Sequence, residues 1–136
     1  MKTEKYIQHS APIKPKAPDL RTLIAFDNFI GDTIPNFKIS FVVFKKAHVL
    51  DAVTHTHDFD QFLYFYGSDP EDMHDLHGEI EMTLSEDGKT MEKHVFTTAT
   101  SIFIPKGLYH CPLDIKQVDK PIFHLNVFFS ADYQRK

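Results

Sequence analysis

The residues of this chain best placed to do chemistry are two histidines at i and i+2 and a carboxamide four residues after the second. They lie in the stretch His55-Thr56-His57-Asp58-Phe59-Asp60-Gln61. On an extended strand side chains alternate between faces, so His55 and His57 point the same way. Gln61 joins them if the period holds through Phe59. Imidazole is the commonest biological metal ligand and suits Zn, Fe, Ni and Cu. Taken alone, the pair reads equally well as two polar positions on a strand.

A second stretch bears on that choice. Residues 101–104 are a short apolar run, and Pro105 and Gly107 are turn formers: proline presets φ and glycine accepts positive φ. His110 then opens the next strand. A Pro-x-Gly-x-x-His after an apolar strand is the arrangement by which a β-barrel would bring a third imidazole to the first two.

With these motifs in this order, the chain resembles a single-domain member of the cupin superfamily over residues 37–130. The first cupin motif is matched by His55, His57 and the position of Gln61, the second by Pro105, Gly107 and His110. The resemblance implies an all-β fold, a cupin-like antiparallel β-barrel (double-stranded β-helix or jelly roll). It also implies a divalent metal ion (Fe, Zn, Ni or Mn) held by His55, His57, Gln61 and His110. It is specific for the fold and not for the reaction, because one fold hosts many functions. Three positions depart from the common pattern. Gln61 stands where a Glu is usual, the motif's glycine is either Gly67 or, after an insertion, Gly78, and Asp114 stands where an Asn is usual. Cupins with a Gln ligand and cupins with three histidines alone both occur, so Gln61 keeps the metal reading and widens the choice of metal. A neutral amide would leave more positive charge on the ion's water or substrate than a carboxylate does.

The elements that must position these groups follow from composition and pattern. A chain of 136 residues suits one domain, and 42% hydrophobic residues with 13 phenylalanines supply a core. A net charge of −4 argues against nucleic-acid and anionic-membrane partners. No apolar run approaches the roughly 18 residues of a bilayer span. A single cysteine, Cys111, excludes an internal disulfide and, with no signal peptide in view, points to the cytoplasm. Residues 1–19, with Pro12, Pro15 and Pro18, read as a flexible arm or a strap across a neighbour, and residues 20–136 as one barrel domain. Leu23, Ile24, Phe26, Phe29 and Ile30 suggest a first strand, a candidate for exchange in a dimer or an ordinary barrel strand.

In residues 60–66, Phe62, Tyr64 and Tyr66 alternate with Gln61, Leu63 and Phe65. If Gln61 faces the interior, Leu63 and Phe65 line it, and the three other rings need cover from a second sheet or from the partner in a homodimer. Residues 67–78 read as an acidic loop inserted in a hairpin, with His74 and His77 either on a lid or on a solvated turn. Asp87-Gly88 marks a hairpin, and His94 reads as a surface residue. In residues 121–130, His124 and Asn126 share a face with Ile122 and Phe128 and are candidates for substrate contact. Residues 131–136 form a polar tail. Tyr109 turns away from the site by alternation, Asp58 and Asp60 have the wrong parity for bases, and Cys111 reads as a small core residue rather than a reactive thiol.

Three functions fit these residues. The first is a metal-dependent enzyme acting on a sugar acid, keto acid or phenolic by isomerase, cyclase or lyase chemistry without redox change. The second is an Fe(II) or Ni(II) dioxygenase, favoured if Gln61 turns away. The third is a non-catalytic small-molecule-binding barrel.

Overall fold

The computed structural model of the chain describes residues 2–7, 9, 12, 13, 17–26 and 38–130. Runs rich in Phe, Val, Ile and Tyr form strands, and turn residues end them. The strands are β1 Pro12–Ile13, β2 Arg21–Phe26, β3 Lys38–Phe44, β4 His48–Asp51 and β5 Gln61–Gly67, followed by β6 Asp75–Ser85, β7 Glu92–Thr98, β8 Thr100–Ile104, β9 Tyr109–Val118 and β10 Ile122–Phe128. All strand pairings are antiparallel. They make a six-stranded sheet in the order β1-β2-β3-β10-β5-β8 and a four-stranded sheet in the order β4-β9-β6-β7. This is the all-β jelly roll expected from the motifs. No helix among the described residues is long and apolar enough to cross a membrane.

The core lies between the two sheets. Phe44, Leu63, Phe65, Ile104 and Ile122 from the first meet Leu76, Ile80, Met82, Leu113 and Ile115 from the second. β5 shows the alternation most cleanly: Gln61, Leu63 and Phe65 are buried, while Phe62, Tyr64 and Tyr66 are half-buried on the outer face. β10 lies between β3 and β5, which sets His124 opposite Phe65 and Asn126 opposite Leu63.

Some of the chain departs from the simple pattern. Of the N-terminal segment, Pro12–Ile13 pairs with β2. The rest of the proposed arm is described only in part. Phe29, Ile30 and the 131–136 tail lie outside the described residues. The inserted loop is shorter than residues 67–78: β6 starts at Asp75 and buries Leu76 completely. His77 belongs to that strand, where its φ of 47° and a register shift between Asp75 and Ile80 break the alternation that would have revealed it. A second register shift, between Met82 and Leu84, buries Thr83 where strict alternation would expose it.

Gly67 and Gly78 are both sites of close backbone approach, so each has a reason to be glycine. A Cβ on Gly67 would run into the Asp75 carbonyl oxygen, and one on Gly78 into the Gln117 carbonyl oxygen. Backbone cannot yield as a side-chain tip can. Gly67→Ala is therefore expected to lower unfolding free energy by about 1–3 kcal/mol or more, read as a lower urea midpoint. An unchanged midpoint would show that the β5–β6 connection tolerates the shift.

Candidate metal centre

Two short segments are zipped together by backbone hydrogen bonds. His55 and His110 exchange both of theirs: each N–H donates to the other's carbonyl at 3.1 Å. On one side the Thr54 hydroxyl donates to the Cys111 carbonyl at 2.7 Å. On the other the Gly107 N–H, at φ 88°, donates to the His57 carbonyl at 3.0 Å. The Pro105-Lys106-Gly107 turn is closed by Leu108 N–H to the Pro105 carbonyl at 3.0 Å, and Asp60 Oδ1 accepts the Lys106 N–H at 2.9 Å. The carboxylates of Asp58 and Asp60 are thus turn groups at the rim: Asp58 also pairs with Lys106 at 3.2 Å.

This frame gathers the three imidazoles. Ring centroids lie 4.7 Å apart for His55 and His57, 4.3 Å for His55 and His110, and 4.9 Å for His57 and His110. All three residues are buried. His55 and His110 are oriented alike. Nδ1 of His55 lies 2.6 Å from the carbonyl of Val53, and Nδ1 of His110 lies 3.0 Å from that of Leu108. A carbonyl only accepts, so each Nδ1 is the donor, and in the neutral ring the Nε2 then presents a lone pair. Nε2 of His55 lies 3.2 Å from Nε2 of His57, and Nε2 of His110 is buried with no hydrogen-bond partner. His57 is braced by Phe59, stacked at 4.6 Å.

Gln61 lines a cavity of about 150 Å³ with Leu63, His110, Cys111, His124 and Asn126. Its Nε2 donates to Asn126 Oδ1 at 2.8 Å, which leaves Oε1 buried without a partner. A buried acceptor left unpaired costs on the order of 1–3 kcal/mol. Two such atoms in one site, Gln61 Oε1 and His110 Nε2, both electron-pair donors, are what a cation would satisfy. The residues present therefore fit a divalent ion.

Burial holds the histidines of this cavity neutral. His110 is pushed down to about 4, first by desolvation and further by the neighbouring His55 and His57. His124 is also pushed down to about 4 by desolvation. It is sandwiched between Phe65 at 4.4 Å and Phe44 at 5.5 Å, with Nδ1 3.1 Å from the Tyr64 carbonyl.

The eight residues singled out in the sequence fall as follows. His55, His57 and His110 are buried with their rings together, and buried Gln61 lines the adjoining cavity with His110, Leu63, His124 and Asn126. Phe65 is fully buried behind His124 and packs on Phe96 at 5.2 Å, so it supports the cavity without lining it. His74 is exposed, His77 sits 3.7 Å from both Asp69 and Asp75, and exposed His94 sits 3.8 Å from Glu92. Among the lining residues without a sequence signal, two carry chemistry. Asp51, whose Oδ2 is 4.0 Å from His55 Nδ1, comes from the strand before the motif. Cys111 lines the cavity although alternation turns it away.

No family model matches the sequence, and no curated protein matches it by sequence. Solved structures match it by shape. An oxalate decarboxylase from Bacillus subtilis superposes with a TM-score of 0.62 at 13% identity, covering 92% of this chain and 28% of that one. Vicilin from Corylus avellana (hazelnut) gives 0.63 at 14% identity, over 94% of this chain and 34% of that one. An oxalate oxidase in complex with the substrate analogue glycolate gives 0.61 at 14%, over 93% and 59%. The chain thus spans about a third or less of the first two proteins and about three fifths of the third. At these identities the likeness establishes the fold: the chain is a cupin-fold protein, with a jelly-roll barrel.

The depressed histidines make stability pH-dependent. Unfolded histidine titrates near ~6.5, and folded His110 and His124 titrate at about 4. Between those values the unfolded chain binds more protons, so stability rises with pH. Their contribution is complete above ~6.5 and is lost as pH falls through about 4. Each contributes on the order of 3 kcal/mol at most across that window. Urea midpoints are expected to fall from pH 7.5 to 4.5, and His124→Gln should flatten the slope. A variant with the wild-type slope would show that His124 is not protonated on unfolding.

Proposed function

We propose that the chain is a metal-dependent enzyme that acts on a small organic acid by isomerase, cyclase or lyase chemistry without redox change. The observation that carries this reading is the pair of unpartnered buried donors, His110 Nε2 and Gln61 Oε1, at one small cavity. His55, His57 and His110 would hold the ion through imidazole nitrogens and Gln61 through its amide oxygen. Such an ion acts as a Lewis acid, polarising a carbonyl or lowering the pKa of bound water.

The chain's own groups select the substrate. Three imidazoles and an amide bring no charge to the ion, so an anionic group such as a carboxylate or enolate is favoured as its partner. A cavity of about 150 Å³ is below the ~300–1,000 Å³ usual for drug-sized ligands, which suits a molecule of a few carbons. Leu63, Met82 and Leu113 supply apolar wall, and Asn126 fixes the Gln61 amide. Among the described residues Asp51 is the one carboxylate lining the cavity, and it is the group we assign to hold a proton taken from substrate. Two neighbours in shape, an oxalate decarboxylase and an oxalate oxidase, are named for reactions of a small dicarboxylate, in keeping with this substrate class. Because Gln61 lines the cavity instead of turning away, the non-redox reading is favoured over the dioxygenase.

Elemental analysis of protein purified without a chelating tag tests the reading. Near-stoichiometric divalent metal is expected, lost in His55→Ala and in His110→Ala with the barrel retained by circular dichroism. Full metal content in both variants would overturn the site. Near-stoichiometric iron with oxygen uptake would turn the reading to the dioxygenase. A protein that neither carries nor takes up metal would leave a binding module.

We further propose a homodimer and a cytoplasmic location. The outer face of the six-stranded sheet carries a cluster of aromatic rings: Phe62 stacks on Phe103 at 4.9 Å and meets Phe129 at 6.0 Å. Phe103 and Phe129 are about half exposed, at 52% and 49%, the kind of patch that marks a contact surface. Sedimentation velocity is expected to give a dimer that Phe103→Lys converts to monomer. A monomeric wild type would remove the proposal.

A further inference from the structure

By strand alternation Cys111 belongs on the face opposite His110. Its φ of 78°, rare outside glycine, turns it instead, so that both line the same cavity. They are buried, with 4% and 2% of their surfaces exposed. Cys111 Sγ and one imidazole nitrogen each from His55 and His110 all lie within 4.8 Å of one another. Three donors sharing one ion at ~2.0–2.3 Å stand at most about 3.5–4.0 Å apart, so side-chain rotation that draws the three donors together by up to about an ångström lets one ion reach them all. The same cavity is lined by the two residues whose buried electron-pair donors have no partner, His110 and Gln61.

We propose that Cys111 is a thiolate ligand, so that the ion sits in a mixed nitrogen–sulfur site made with His55 and His110. This rests on the metal reading of the same centre and deepens it. Charge supports it. Gln61 removes the carboxylate that would have offset the ion, and a thiolate supplies one negative charge in its place. Softness then selects the metal: sulfur with imidazole favours Zn, Fe, Co or Ni, whereas Mg and Mn prefer oxygen.

X-ray absorption of the zinc-loaded wild-type protein at the zinc edge tests it. Sulfur is expected at ~2.3 Å beside nitrogens at ~2.0–2.1 Å. In Cys111→Ser the sulfur shell should vanish and zinc affinity fall at least about tenfold, the loss typical of disturbing even an outer-shell partner. Because the first measurement uses the native chain, it stands even if the variant folds poorly. A nitrogen-and-oxygen-only shell in the wild type, with undiminished zinc affinity in Cys111→Ser, would overturn the thiolate and leave the histidine centre intact. Failure of the wild type to take up zinc, cobalt, nickel or iron would overturn both.

Discussion

The reciprocal backbone pair between His55 and His110 is the constraint on which the centre depends. These residues are 55 positions apart in sequence, and their side-chain rings meet because their main chains exchange two hydrogen bonds. In an antiparallel pair of this kind the Cα atoms stand ~5.5 Å apart with side chains on the same face. Everything around the pair reinforces that register. Thr54 and Gly107 extend the zipper on either side, and Asp60 seats the turn that precedes His110. The carbonyls of Val53 and Leu108, each two residues before its histidine, aim the rings. A slip of one residue would send each imidazole to the opposite face.

The second determinant is dehydration. The two sheets bring apolar residues from both inner faces against the cavity, and the cost of charging an imidazole there keeps His110 and His124 neutral. A neutral imidazole is the form that binds a metal. The hydrophobic core therefore sets the protonation state of these two histidines as well as the stability of the barrel. His124, clasped between Phe44 and Phe65, shows the two roles in one residue: its ring packs as an aromatic while its edge lines the cavity.

Much of this was legible in the sequence, for a physical reason. Burial alternates without a break from His55 through His57, Phe59, Gln61, Leu63 and Phe65, although residues 56–60 are not in a strand, so a period of two was enough to put the imidazoles and the amide together. The Pro-x-Gly turn located His110 because proline and glycine constrain backbone locally. What escaped lies where backbone geometry is irregular. Positive φ at His77 hid the start of β6, and positive φ at Cys111 brought its thiol into the cavity. Neither residue type announces that conformation. Asp51 escaped for another reason: it reaches the cavity from β4 through the pairing of that strand with β9, a long-range contact with no local signature.

The irregularity at Cys111 and the substitution at Gln61 bear on the same quantity, the charge around an ion in a dehydrated site. A dication surrounded only by neutral donors must find its counter-charge in the substrate or go without, and an uncompensated charge in such surroundings is costly. Replacing the usual carboxylate by Gln61 removes a permanent counter-charge, while Asn126 keeps the amide in place as a donor of lone pairs. A thiolate at Cys111 restores one negative charge from the opposite sheet, on an atom that is softer and larger than a carboxylate oxygen. The two positions are then not independent. With Gln61 and Cys111 the site retains the charge count of three histidines and one carboxylate, but with sulfur carrying it, and the remaining positive charge is left for a small anionic substrate.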